Sequence, residues 1–270
     1  MAHNILKDHR LIYVFYILLV LFPFLVPIGL PMTIDAYVRD GFNFISSIPA
    51  GSTILVSIDF RMMSWSEIGP GAVTIMQQVI DKPIKLVLIS LIPEGPVLAD
   101  KVLSMVNMRS RVYGVDWVNV GYVPGRDTSC VAMAEDFKSI VKADYKGTPV
   151  ESIPLMSQIK DAGSFYGILT FEDEGTPWPL YWNLVKHVSI VKTGQALLLS
   201  SWLVEWQAKM EVGMAAGVRG YAEWEALLGV KGANTMFMDA VNVAWFYLLL
   251  MMAIGNIEYF RRKRTTSRSV

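Results

Sequence analysis

Thr53-Ile-Leu-Val-Ser-Ile-Asp-Phe60 and Ile84-Lys-Leu-Val-Leu-Ile-Ser-Leu-Ile92 are two short, almost continuously apolar runs. Their length and β-branched content mark strands, and the missing polar alternation marks strands covered on both faces. Between them Ile68 to Ile80 carries apolar residues at helical spacing. A covered strand, a helix and a second covered strand form a βαβ unit, which demands a parallel sheet.

The pattern continues outward. Val97 to Met108 reads as a helix through Leu98, Val102, Leu103, Met105 and Val106. Trp117 to Val123 is a third strand, followed by a helix from about Ser129 to Val141. Residues 144–163 hold Gly147, Pro149, Pro154 and Gly163 and read as irregular. Tyr166 to Phe171 is a further strand, and Pro177 to Val188 a helix. Ala196 to Ser200 reads as the last strand, leading into one long helix through about Leu228. The expected fold is α/β: a doubly wound, mostly parallel sheet in a Rossmann-like three-layer sandwich.

The chain of 270 residues is 53% hydrophobic and only 18% charged. A soluble domain holds about 25% charged residues, so part of this chain suits lipid. Leu11 to Met32 has no charged side chain and is long enough to cross a bilayer, with Pro23, Pro27 and Pro31 inside or ending it. It exceeds a signal peptide's apolar core, and no good small-residue cleavage site follows. Ala240 to Ile257 is a second apolar run. Lys7 and Arg10 precede the first run, and Arg261, Arg262, Lys263 and Arg264 follow the second. Cations beside spans mark the cytoplasmic side. The expected organisation is a cytoplasmic N-terminus at 1–10, spans at 11–32 and 239–259, an extracytoplasmic domain at 33–238 and a basic tail at 260–270. The expected location is the cell membrane, with both termini cytoplasmic.

Lys and Arg number 24, as do Asp and Glu, so no global field draws the chain to nucleic acid. One cysteine, Cys130, excludes an internal disulfide and a cysteine-based metal site. Neither GxGxxG nor GxxxxGK[ST] occurs, so no nucleotide cofactor is expected, and no metal. In an open parallel sheet, ligands bind beyond the carboxyl ends of the strands. The candidates there for acid–base work are Asp59, Glu94 and Asp127, with Asp173 on the same crest. Gly125, Arg126 and Thr128 form a turn and helix start suited to a carboxylate or phosphate, or simply a capped helix. Cys130 with His187 is a remote nucleophile pair. Trp202 and Trp206, one helical turn apart, read as core or interface.

Glu211 to Glu225 reads as helical yet contains Gly213, Gly217 and Gly220. Glycines inside a helix each cost about 1 kcal/mol against alanine, so their small size should serve close packing. That packing is either on the domain's own sheet or at a subunit contact, with Arg219 and Glu223 as an i,i+4 pair beside it. The expected function is a structural or assembly component that sits in the lipid bilayer and contacts copies of itself or other membrane subunits. The alternatives are a membrane-tethered hydrolase or transferase, or a ligand sensor, using the strand-end loops.

Overall fold

A computed structural model describes residues 9–266, and side chains over 10–261. Lys7 lies outside the described residues, as do the side chains of Arg262, Lys263 and Arg264. Two compact units emerge: Met1–Pro31 with Thr235–Val270, and Met32–Asn234.

The larger unit is the sandwich. Its strands are β1 (Thr53–Asp59), β2 (Lys85–Ser90), β3 (Trp117–Tyr122), β4 (Gly167–Glu172), β5 (Ser189–Gly194) and β6 (Gly213–Ala216). They pair in the order β3-β2-β1-β4-β5-β6, every pairing parallel. Alternate strand residues feed two cores. Ile54, Val56 and Ile58 of β1 join Leu86, Leu88 and Leu169 on one face. Leu55 joins Val87, Val118, Ile168 and Ile190 on the other. Both faces are dry, which is why the strands read as continuous apolar runs.

Helices α1 (His9–Leu25) and α2 (Ala36–Ser47) precede the sheet. Then α3 (Trp65–Ile80) and α4 (Gly95–Met105) cover the first face, while α5 (Arg126–Glu135) and α6 (Phe137–Ile140) cover the second. Next come α7 (Leu199–Gln207), α8 (Gly217–Leu228) and α9 (Ala233–Thr266). Residues 144–163 stay irregular apart from three short 3-10 turns.

Several expectations are corrected. The helix expected from Ser129 to Val141 breaks at Asp136, whose extended backbone lets its carboxylate accept from the Lys138 amide at 3.1 Å. Pro177 to Val188 holds only a π-helical turn, Pro179–Asn183, packed through Trp178 and Trp182. Ala196 to Ser200 is not a strand. The strand is β5, hidden in the sequence by the charged Lys192 at its centre. Glu211 to Glu225 is not one helix, because Gly213 to Ala216 form β6 and the helix begins at Gly217.

The three glycines pack inside the domain. A Cβ on Gly213 would lie 2.1 Å from the Gly41 amide nitrogen, where α2 crosses β6. One on Gly217 would meet the Ala196 Cβ at 2.6 Å, and one on Gly220 the Ala215 carbonyl carbon at 2.9 Å. Arg219 pairs with Glu223 at 2.8 Å, as the spacing implied, and also with Asp35 at 3.3 Å. Glu223 is buried and accepts from the Asp35 amide. Gly213→Ala should therefore lower the domain's thermal stability by about 1–3 kcal/mol, the usual magnitude of overpacking. A variant with unchanged melting but weakened self-association would instead place Gly213 at a subunit contact.

The smaller unit is a hairpin. Tyr247 of α9 donates to the Ile12 carbonyl at 2.8 Å, and Phe24 packs edge-on against Phe237, so the helices run antiparallel. Among the described residues only α9 is long and apolar enough to cross a membrane, over Ala233–Arg261. The expected first span is corrected: α1 has 17 residues, about 25 Å, and ends at Leu25. Pro27 lacks an amide proton and disfavours helical backbone at Val26, and Gly29 turns with a φ of 69°. Pro23 lies within the helix.

Candidate functional site

Strand order reverses between β1 and β4, and in this fold the crevice opens beyond their carboxyl ends. A crevice of 510 Å³ lies there, lined by Arg61, Leu91–Glu94, Tyr122, Gly125, Arg126 and Glu174. Arg61 follows β1 and Arg126 opens α5 after β3. Both reach Glu174, which follows β4. Arg61 Nη2 donates to Glu174 Oε2 at 2.5 Å, and Arg126 Nη1 donates to Glu174 Oε1. Arg126 also donates to the Gly175 carbonyl at 2.6 Å. Asp173 fixes Arg61 by accepting from its amide at 2.8 Å and its guanidinium at 3.1 Å, while Ser64 donates to the same carboxylate. The Arg61 hydrogen bond holds the Glu174 carboxyl below the usual glutamate range. A ligand carboxylate or phosphate would enter between these guanidinium groups only by exchange with Glu174.

The three acid–base candidates do not converge. Asp59, at the end of β1, is 1% exposed and accepts from Ser57 Oγ at 2.5 Å and the Leu91 amide at 2.6 Å. Burial pushes its pKa up against those hydrogen bonds. Its geometry suits tying β1 to the end of β2, where the β2–β3 register shifts. Glu94 stands on the crevice rim and accepts from the Met62 amide at 2.7 Å. Asp127 is exposed in the first turn of α5.

Gly125 caps α5 with a φ of 94°, a conformation that favours glycine. Thr128 donates back to the Gly125 carbonyl at 2.8 Å. Of the expected anion-binding set, Gly125 and Arg126 line the crevice, while the Thr128 hydroxyl closes the helix's own first turn. Burial pushes the Cys130 thiol well above its ordinary range, and His187 lies exposed beyond the π-helical turn, so this pair is not an activated nucleophile.

The sequence reading passed over a second group entirely. Lys192, 1% exposed, donates to Glu205 Oε2 of α7 at 2.5 Å, and its Nζ is 3.8 Å from Glu211 Oε2. Glu172, at the end of β4, is fully buried and accepts from Thr170 at 2.5 Å. Burial raises Glu172 to about 7 and Glu211 to about 8, with Lys192 pulling both down. A strand lysine is the only signal that could have pointed here, since such a residue needs a buried acid to pair with.

Among the described residues no group of three or more His, Cys, Asp or Glu is placed to hold an ion. Comparison with known proteins returns no matching family model, no matching curated protein and no matching solved structure.

Proposed function

We propose that this chain is a membrane-anchored structural or assembly component. Helix α9 crosses the cell membrane with its basic end cytoplasmic, and α1 packs along it within the bilayer. The α/β domain stands on the outer side and packs against copies of itself or neighbouring membrane subunits. One observation carries the anchoring. The hairpin exposes large apolar side chains along both helices, among them Tyr13, Leu18 and Leu25 on α1 and Trp245, Phe246 and Leu249 on α9. An apolar surface of that extent is untenable in water and ordinary in lipid. Arg261 and the basic residues after it follow the apolar stretch of α9, which supports a cytoplasmic side for that end.

Assembly is supported by the loops beyond the strands. Met63 and Leu197 are 84% and 69% exposed. Their neighbours Ser64 and Gln195 hydrogen-bond at 3.2 Å, which brings the two loops together. Paired exposed apolar residues at one rim suit a protein contact. The strand-end arginines bond to Asp173 and Glu174, an arrangement that favours a fixed surface over turnover.

The test uses Met63→Cys and Leu197→Cys in native membranes, with buried Cys130 giving little background. Alkaline carbonate should leave the protein in the membrane pellet, and a bismaleimide should trap covalent dimers or larger species. Release by carbonate overturns the anchoring. Monomer alone at both positions overturns assembly through this rim.

A further inference from the structure

We propose that the cavity lined by Asp40, Trp206 and Glu211 binds the ammonium head of a small organic amine. The cavity has a volume of 520 Å³ and lies within the α/β domain, where α2 and the end of α7 meet the start of β6. Glu211 lines it, is 3% exposed, and has no hydrogen-bond partner on either carboxyl oxygen. The nearest cation, Lys192, is 3.8 Å from Glu211 and hydrogen-bonds Glu205 instead. Native structures rarely leave a buried carboxyl in that condition without a partner from outside.

Charge counting points to a cation. Glu172, Glu205 and Glu211 share one buried ammonium, that of Lys192. Asp40 adds a further carboxylate to the lining. Lys209 is the cation on the lining itself, and it makes no ion pair with these acids among the described residues. A proton on Glu211 satisfies part of this imbalance, and an ammonium group would replace it with charge and three donors. Trp206 supplies an aromatic wall, held edge-on by Tyr37 at 5.9 Å. An aromatic face beside carboxylates attracts an organic cation through the ring quadrupole as well as through charge. The cavity volume admits an aliphatic amine of a few carbons.

Calorimetric titration of the full chain in mild detergent with n-butylamine tests this, with n-butanol as the uncharged probe. Saturable binding in the millimolar range is expected for the amine and none for the alcohol. Glu211 gives up a proton when the ammonium arrives, so affinity should rise nearly tenfold per pH unit between pH 6 and 8. Buffers of different ionisation enthalpy should report the released proton. Glu211→Gln should abolish binding, and Trp206→Leu should weaken it several-fold while leaving the proton release in place. Equal binding of butanol, full binding by Glu211→Gln, or no saturation by the amine each overturns the proposal.

Discussion

Asp239→Leu is expected to pull the segment Ile28–Leu30 away from α9 and to destabilise the hairpin by at least about 3 kcal/mol. Asp239 is fully buried within the hairpin unit. Its Oδ2 accepts from the amides of Ile28 at 2.8 Å and Gly29 at 2.7 Å, and its Oδ1 from Leu30 at 2.9 Å. Those amides lie past the end of α1, where no helical carbonyl can take them. Leucine would take the Asp239 acceptor away from three part-buried amides, each loss costing about 1 kcal/mol or more. Asp239→Asn keeps acceptor capacity at one oxygen and should lose about half as much. Thermal unfolding in mild detergent, followed by far-UV circular dichroism, reads both. A midpoint unchanged in Asp239→Leu would mean that the segment finds other acceptors and that Asp239 does not clasp the hairpin.

The second large effect concerns Lys192. Removing one partner of a buried ion pair costs about 3–5 kcal/mol, because the remaining charge stays buried. Lys192→Met leaves Glu172, Glu205 and Glu211 without their shared cation, and its loss should be largest at alkaline pH, where Glu172 and Glu211 ionise. The native chain should already show this trend. Glu172 and Glu211 are raised from the ordinary value of 4.5 to about 7 and about 8. In that window the folded state holds protons that the unfolded state has released, so stability falls as pH rises from about 4.5 to about 8. Asp59, also raised by burial, adds the same sign. Glu174, held low by Arg61, acts oppositely and withdraws stability as pH falls through its lowered range. Melting temperature should peak near pH 5 and decline towards pH 8. Glu211→Gln should flatten the decline above pH 7. A native melting temperature that climbs from pH 5 to pH 8 would show that these acids are ionised and compensated when folded.

The elements that were legible share one property: their signal is carried by neighbours in sequence. β1 and β2 are continuous apolar runs because both faces of the sheet are covered, and α3 and α4 repeat apolar residues at three and four. The elements that were missed depend on distant partners. β5 carries Lys192, a charge that argues against a buried strand until Glu205 of α7 and Glu211 are placed beside it. β6 is four residues of glycine, methionine and alanine with little strand propensity. It is a strand because β5 offers a ladder on one side and α2 approaches Gly213 too closely for any side chain. Arg126 and Glu94, both legible as strand-end residues, line one crevice, yet Glu174 as the bridge between two arginines has no local signature.

The amino-acid sequence by itself determined a parallel α/β domain between two apolar segments, because covered strands, amphipathic helices and long apolar runs are patterns of local period and length. It also determined that basic residues flank those segments. Tertiary structure decided what becomes of the charges and the glycines. Whether a carboxyl is a base, a clasp or half of an ion pair depends on which donors stand within hydrogen-bonding distance. Those donors lie far away in sequence: 112 residues between Arg61 and Asp173, and 211 between Ile28 and Asp239. Burial and proximity are properties of the folded chain, and they turned a glycine stripe into a helix–sheet crossing and a lone strand lysine into the centre of an acidic cluster.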